Sequence, residues 1–468
     1  MKEFIFANGV DAQTDRPLWD QIPFDDFLRS FRNRMSFPRE EEEKRLASTG
    51  ALATELGRFR AFASPNLSDP LAVGYGVITS PGGVALLDGP LAPLLRLRGV
   101  KPEQRLVFDY GQVNWWGVPG WVDQHFKYQD RPYYWLLVGD PAEIPFDLQW
   151  ILDTGKATGR VAFETTDQYG AYVERIVTVE TALRNPTQPP PAFFWAPQHD
   201  KVTRQSNWYM ADPLVASLKV QGHAVTYREE GEATVDAFWT AAERWGARPG
   251  LVYTASHGQG VDRDDPNQIA RQGSLRAMDG SIDGDSTAQA RGAFPGCVLF
   301  NFACYSGGTP SHSDLNHWVP EYNLDVYIPQ TAFVSSLHRR LLAHPRGPLA
   351  CIGHVEPACI HSFLDPADPE KVVPDTALDV EWGERMRPFR TFVNRLMSGA
   401  TVGYAMEEFG FLYNSLGNDL ATGINRLIQM GVPPEHLEKE VRRLATTWIS
   451  RNDYQNYVVF GDPAARIA

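Results

Sequence analysis

The stretch "LFNFACYSGG", residues 299–308, decides how the rest of the chain is read. An apolar run of strand composition stops at Ala303-Cys304 and passes into a small, turn-prone tail. "LVYTASHGQG", residues 251–260, follows the same plan with a histidine: the run ends, and His257 stands next to glycine. Similar short apolar runs occur at 105–110, 133–139, 159–164, 192–197, 223–228 and 348–354, and amphipathic helix candidates at 167–184, 206–221, 234–246, 383–399 and 435–451. Apolar strands separated by helices predict an α/β fold whose mostly parallel sheet is buried on both faces.

The bulk numbers narrow the function. The 468 residues carry 44 Lys and Arg against 57 Asp and Glu, a net charge of −13, which opposes nucleic-acid binding because phosphate requires a basic surface. The beginning "MKEFIFANGVDAQTDRPLW" lacks the apolar core of a secretory signal, and no run reaches the length of a membrane span. The expectation is a cytoplasmic protein that binds no membrane. Four cysteines, Cys297, Cys304, Cys351 and Cys359, are too few for a disulfide scaffold. A zinc set of Cys297, Cys304, His312 and His317 lacks paired spacing, so no metal is expected.

Functional groups of a parallel sheet gather past the carboxyl ends of its strands. If the two strands are neighbours, His257 and Cys304 share one rim. A thiol of ordinary pKa, roughly 8.5, is mostly protonated at neutral pH, and an imidazole can take that proton and later return it to a leaving amine. The N–H groups of Gly258 and Cys304 are then placed to receive an oxyanion. A buried cysteine alone is more often a small packing group; the like position of both residues on two strands is what makes the pair. A serine hydrolase is disfavoured, since the chain contains no G-x-S-x-G elbow.

"YTASHGQG" followed by "FNFACYSGG" resembles the His-Gly and Ala-Cys pair of clan CD cysteine peptidases, the caspase, CHAT and gingipain group. Three further stretches resemble the gingipain-like branch, peptidase C25: "YYWLLVGDPAEIP" (133–145), "GRVAFETTDQYGAYVERIVTVE" (159–180) and the terminal "NYVVFGDPAARI" (456–467). The resemblance covers about residues 105–467. It implies a caspase-like (caspase-hemoglobinase) three-layer αβα sandwich with a mostly parallel central sheet, preceded by a smaller α/β subdomain. Residues 1–105 have no clear role in that scheme, 106–187 form the smaller subdomain, and 188–468 the catalytic one, with the prolines of "QPPPAFF" at the junction.

By this resemblance the protein is a cysteine endopeptidase with no cofactor, His257 being general base and acid and Cys304 the nucleophile. Phe302 stands where caspases carry a glutamine of the aspartate pocket, which argues against aspartate specificity. Asp153, ahead of the Gly-Arg strand, and Glu356, beside His354 on the strand that walls the cleft, are the acids that would read Arg or Lys before the cut. The implied partners are protein substrates and an activating protease or regulatory partner, in a bacterial defence or programmed-death pathway such as CRISPR-linked signalling. The polar connections 258–296 and 305–333 are long enough to be mobile, and one of them is expected to be cut or reordered on activation. The rival reading is a catalytically silent caspase-like scaffold that uses the cleft for recognition.

Overall fold

All eight apolar runs are strands, within a few residues of their expected limits: Arg105–Val107, Tyr134–Val138, Ala157–Val161, Ala192–Ala196, Val225–Glu229, Leu251–Ala255, Val298–Phe302 and Ala350–His354. They come from a computed structural model that describes residues 4–5, 7–18, 22–34, 66–113, 117–127, 130–183, 188–246, 248–318, 322, 324–363, 384–427 and 434–468. Two further strands, Tyr75–Thr79 and Tyr457–Gly461, complete a ten-stranded sheet. From one edge to the other, the strands beginning at Arg105, Tyr75, Tyr134, Ala157, Tyr457, Ala350, Val298, Leu251, Ala192 and Val225 lie side by side.

Every junction of this sheet is parallel except one, between Ala350–His354 and Tyr457–Gly461. The chain therefore builds two parallel half-sheets that run in opposite directions and joins them at that seam. The prolines at 189–191 fall where the chain leaves the first half for the second.

Successive side chains of a strand point to opposite faces, and the Cys304-bearing strand shows both faces covered. Phe300 packs on Phe389, Phe392 and Phe409, from helices Arg387–Met397 and Val402–Asn425. Its neighbour Asn301 bonds His338 of helix Ser336–Ala343 on the other face at 2.6 Å. Helices on both sides of a mostly parallel sheet make an α/β sandwich.

The seam is held by buried charge. Asp462, just past the last strand, accepts from Tyr75 Oη at 2.7 Å and from Arg98 Nε at 3.0 Å, while Arg98 also pairs with Glu180. Its own N–H donates to Tyr172 Oη at 2.6 Å, and that hydroxyl donates to the Leu349 carbonyl of the other half-sheet, also at 2.6 Å. Burial opposes the Arg98 charge, but Asp462 and Glu180 outweigh it and keep the guanidinium protonated.

One expectation needs correction. In the sequence, the Pro-Gly-Gly of "AVGYGVITSPGGVALLDG" (72–89) reads as the turn of a hairpin, but Pro81 opens a helical turn that continues into Val84–Asp88, and Tyr75–Thr79 pairs in parallel with its neighbours. The 258–296 connection is built from short elements, Gly258–Gly260, Leu275–Ala277 and Gly280–Ile282 in one small sheet plus helices Gln268–Arg271 and Gly284–Gln289. Three-residue strands leave no periodicity in a polar sequence. Cys297 and Cys304 flank opposite ends of one strand, roughly 20 Å apart in extended chain, so the two do not meet at one metal. The charged stretch "REEEEKRLASTGALATELGRFRAF" (39–62), whose composition predicts a helix, lies outside the described residues. Among the described residues no helix is long and apolar enough to cross a membrane.

Removing the seam's carboxylate leaves the buried Arg98 guanidinium with Glu180 alone and Tyr75 without its acceptor. Asp462→Ala is expected to cost about 3–5 kcal/mol in chemical denaturation, and a loss below about 1 kcal/mol would contradict this account of the seam.

Candidate functional site

The strands carrying His257 and Cys304 are immediate neighbours, paired in parallel from Leu251 with Val298 to Ala255 with Phe302. Ser256 N–H extends the ladder to the Phe302 carbonyl at 3.1 Å. Two residues beyond the last matched pair stand His257 and Cys304, at equal height on one rim. Parallel strands run roughly 4.8 Å apart, so both side chains start within reach of one substrate atom.

The backbones come closer still. A Cβ on Gly258 would fall 1.9 Å from the Cys304 carbonyl oxygen, so only glycine fits there. The turn after Cys304 is made by Tyr305 in the left-handed region, φ 57°, with its N–H held by the Glu356 carbonyl at 3.1 Å.

The next strand over, Ala192–Ala196, supplies a third group. Asp200 stands four residues past its end and caps helix Lys201–Ser206, accepting from Thr203 N–H at 3.0 Å through Oδ1. Its Oδ2 lies 2.9 Å from His257 Nε2. Burial pulls the Asp200 carboxyl upward, but the hydrogen bonds from His257 and Thr203 prevail and hold it well below the usual carboxylate range. An ionised acceptor at Nε2 fixes the proton there and leaves Nδ1 of a neutral ring as the lone pair. His257 Nδ1 is buried and has no hydrogen-bond partner among the described residues. Sequence reasoning missed Asp200, because "PQHD" after a strand reads as a polar turn; its one signal was an acid at the rim of an adjacent strand.

The rim is occupied by the beginning of the chain. Gly258 N–H and Cys304 N–H both donate to one atom, the carbonyl oxygen of Asn8, at 3.0 and 3.2 Å. Asn8 N–H donates to Ala358 O at 2.7 Å, and Ala7 bridges Cys359 in antiparallel fashion. Beyond it, Gly9–Asp11 pairs in parallel with Gly258–Gly260. The thiol lies beneath this segment. Cys304 Sγ accepts from Ala358 N–H at 3.1 Å and makes no hydrogen bond to His257, whose Nε2 is taken by Asp200. Burial pushes the thiol's pKa well up, which keeps it protonated while it is covered.

The remaining residues expected at the site fall into two groups. The Phe302 carbonyl faces the rim, 3.4 Å from Asn8 Nδ2, while its ring packs on Phe363 and Tyr457. His354, Glu356 and Asp153 are tied into the protein. His354 bonds the Glu356 and Asp453 carbonyls at 2.6 and 3.1 Å. Glu356 is 1% exposed, with Oε1 accepting from Asp314 N–H at 3.1 Å. Asp153 bonds the Thr158 hydroxyl and N–H beneath helix Val402–Asn425. The four cysteines are free and buried, and among the described residues no group of three or more His, Cys, Asp or Glu side chains could hold a metal.

No protein-family model matches this chain, and no curated protein does. Among solved structures, one described as that of a protease is similar to it with a TM-score of 0.48 and 12% identity, over 85% of this chain and 78% of that one.

Burial pushes both Asp153 and Glu356 up to about 7. For an acid whose folded pKa is raised, the stabilising contribution is complete below the unfolded value, near 4, and is lost as pH rises through about 7. Asp153→Asn keeps an acceptor for Thr158 and removes the charge. Its melting temperature is expected to gain a few degrees on wild type between pH 5 and pH 8; a constant difference across that range would contradict the assignment.

Proposed function

We propose that the protein is a cysteine endopeptidase in which Cys304 is the nucleophile and His257 the general base and acid. Asp200 orients the imidazole, and the N–H groups of Gly258 and Cys304 receive the oxyanion. The observation that carries this reading is their convergence on one peptide carbonyl oxygen, at 3.0 and 3.2 Å, beside a cysteine and an oriented histidine. Two backbone donors aimed at a carbonyl stabilise the charge that develops when it is attacked.

The chemistry follows from those positions. With substrate in place, His257 Nδ1 takes the thiol proton and Sγ adds to the carbonyl carbon. The tetrahedral oxyanion is held by the two N–H groups, and it collapses to a thioester as His257 protonates the departing amine. Water then hydrolyses the thioester and restores the thiol. Asp200 keeps the proton on Nε2 throughout and balances the imidazolium when it forms, the part played by the acid of any such triad.

For Arg or Lys before the cut, the two carboxylates expected to read it are buried and have partners of their own. Four free thiols fit a reducing, cytoplasmic setting. The clan CD resemblance supports protein substrates, a releasing partner, and a place in a bacterial defence or programmed-death pathway.

Profiling against a peptide library tests the core of this reading. Cys304→Ala and His257→Ala are each expected to lower kcat/KM by at least about a thousandfold. Asp200→Asn, acting through His257, is expected to lower kcat by about a hundredfold or more with KM little changed. Cleavage that survives Cys304→Ala would overturn Cys304 as the nucleophile, and an absence of any cleavage in wild type would turn the reading toward the silent scaffold.

A further inference from the structure

The rim is filled in the manner of a bound substrate. Asn8 offers its carbonyl oxygen to the two backbone donors, and its N–H pairs with Ala358 O at 2.7 Å. Ala7 continues that pairing as an antiparallel bridge to Cys359. Gly9 follows directly over the thiol: a Cβ there would fall 2.8 Å from both Cys304 Cβ and Sγ, and 2.6 Å from Leu18 Cδ1. An extended peptide that adds to a strand edge, with one carbonyl in a cradle of N–H groups and the next residue on the nucleophile, occupies every place a scissile segment needs.

The side chain of Asn8 is also received. It is fully buried, and its Nδ2 donates to Ser256 O at 2.7 Å and to Phe302 O at 3.4 Å. These are the carbonyls that end the two strands of the site. A carboxamide can give N–H to both, whereas an aspartate would bring acceptor oxygen against acceptor oxygen in a buried place. Asn8 Oδ1 has no hydrogen-bond partner among the described residues, so it is the amide's N–H group that the site receives.

We infer that Ala7-Asn8-Gly9 is held at the rim as the chain's own substrate, that Asn8-Gly9 is the first bond the enzyme cuts, and that the site reads asparagine followed by glycine. This rests on the peptidase reading above. Cys304 Sγ adds to the Asn8 carbonyl carbon as its proton passes to His257 Nδ1. The bond to Gly9 nitrogen breaks, and that nitrogen takes the proton back. Water then attacks the thioester, releasing the Asn8 carboxylate and restoring the thiol, so the sum is hydrolysis with no change of oxidation state.

The chain is anchored on both sides of the bond, upstream also by the Ala7 bridge and the Asn8 bonds. Downstream, Gly9–Asp11 pairs with Gly258–Gly260, and Asp15 holds Arg276 through two contacts of 2.8 and 2.7 Å. Upstream, the ladder between Phe4–Ile5 and Ile22–Pro23 spans two residue pairs. After the cut the two ends are no longer joined, and the piece ending at Asn8 opens the asparagine pocket to other chains once its ladder, the Ala7 bridge and the Asn8 bonds are exchanged for a new peptide.

The test is the N-terminal sequence and intact mass of the purified full chain. Wild type is expected to begin at Gly9, and Cys304→Ala and Cys304→Ser to retain the Asn8-Gly9 bond. Asn8→Asp, which keeps the side chain's shape, is expected to slow the cut at least tenfold. Reporter peptides with Asn before the cut are expected to be turned over at least tenfold faster than those with Asp or Arg. An intact Asn8-Gly9 bond in a wild type that cleaves peptides through Cys304 overturns this inference and leaves the peptidase standing. A cut that persists in Cys304→Ala overturns it as well. An intact bond with no Cys304-dependent cleavage of any peptide removes both.

Discussion

The site depends on one close approach, that of the Gly258 backbone to the backbone of Cys304. Parallel pairing brings the two strand ends level, and the missing side chain at 258 lets the chains touch, with a would-be Cβ 1.9 Å from the Cys304 carbonyl. Only then do two N–H groups from separate strands point at a single oxygen. Any larger residue would force them apart, and the convergence on Asn8 would be lost. The rest of the molecule holds this pair of strand ends in register. Asn301 ties the Cys strand to the His strand through Thr254 at 2.8 Å and to the helix below through His338, which burial keeps neutral at about 3.

A second constraint lies at the seam between the oppositely directed half-sheets. Asp462 of the terminal Gly-Asp-Pro gathers Arg98, Tyr75 and Tyr172 around a buried charge. The Gly-Arg strand contributes a similar fixture: Arg160 donates to the Gly139 carbonyl at 3.0 Å and to Gln149 at 3.1 Å, which locks the Val-Gly-Asp turn. The stretches 133–145, 159–180 and 456–467 are thus largely the fixtures of this architecture. Buried charge that is paired and hydrogen-bonded is costly to disturb and specifies one arrangement.

Eight strands were legible because each is a continuous apolar run between breakers, the plainest signal a sequence offers. Tyr75–Thr79 was misread because Pro-Gly-Gly after it suggested a reversal, while proline equally begins a helical turn. Helix Val402–Asn425 was hidden by Gly403, Gly410, Gly417 and Gly423, which lower helix propensity but let the sheet and the Asp153 carbonyl pack close. At the site, His257 and Cys304 were legible because strand ends place them. Asp200 and Asn8 were not, since one looks like a turn acid, the other belongs to an Asn-Gly turn signal, and their roles arise from contacts 57 and 248 residues away in sequence. Nothing in the sequence around Asp153 and Glu356, the acids expected to read a basic side chain, shows that both are buried and bonded to Thr158 and to the Asp314 N–H.

The covered thiol gives the account its most direct test. Labelling by an electrophilic peptide ketone that carries asparagine at its reactive end, followed by peptide mapping, reports which sulfur is activated. The account predicts one adduct, on Cys304, in wild type, and at least tenfold less in His257→Ala, with Cys297, Cys351 and Cys359 unlabelled. Adducts spread over the four cysteines, or labelling of Cys304 that does not change when His257 is removed, would contradict it.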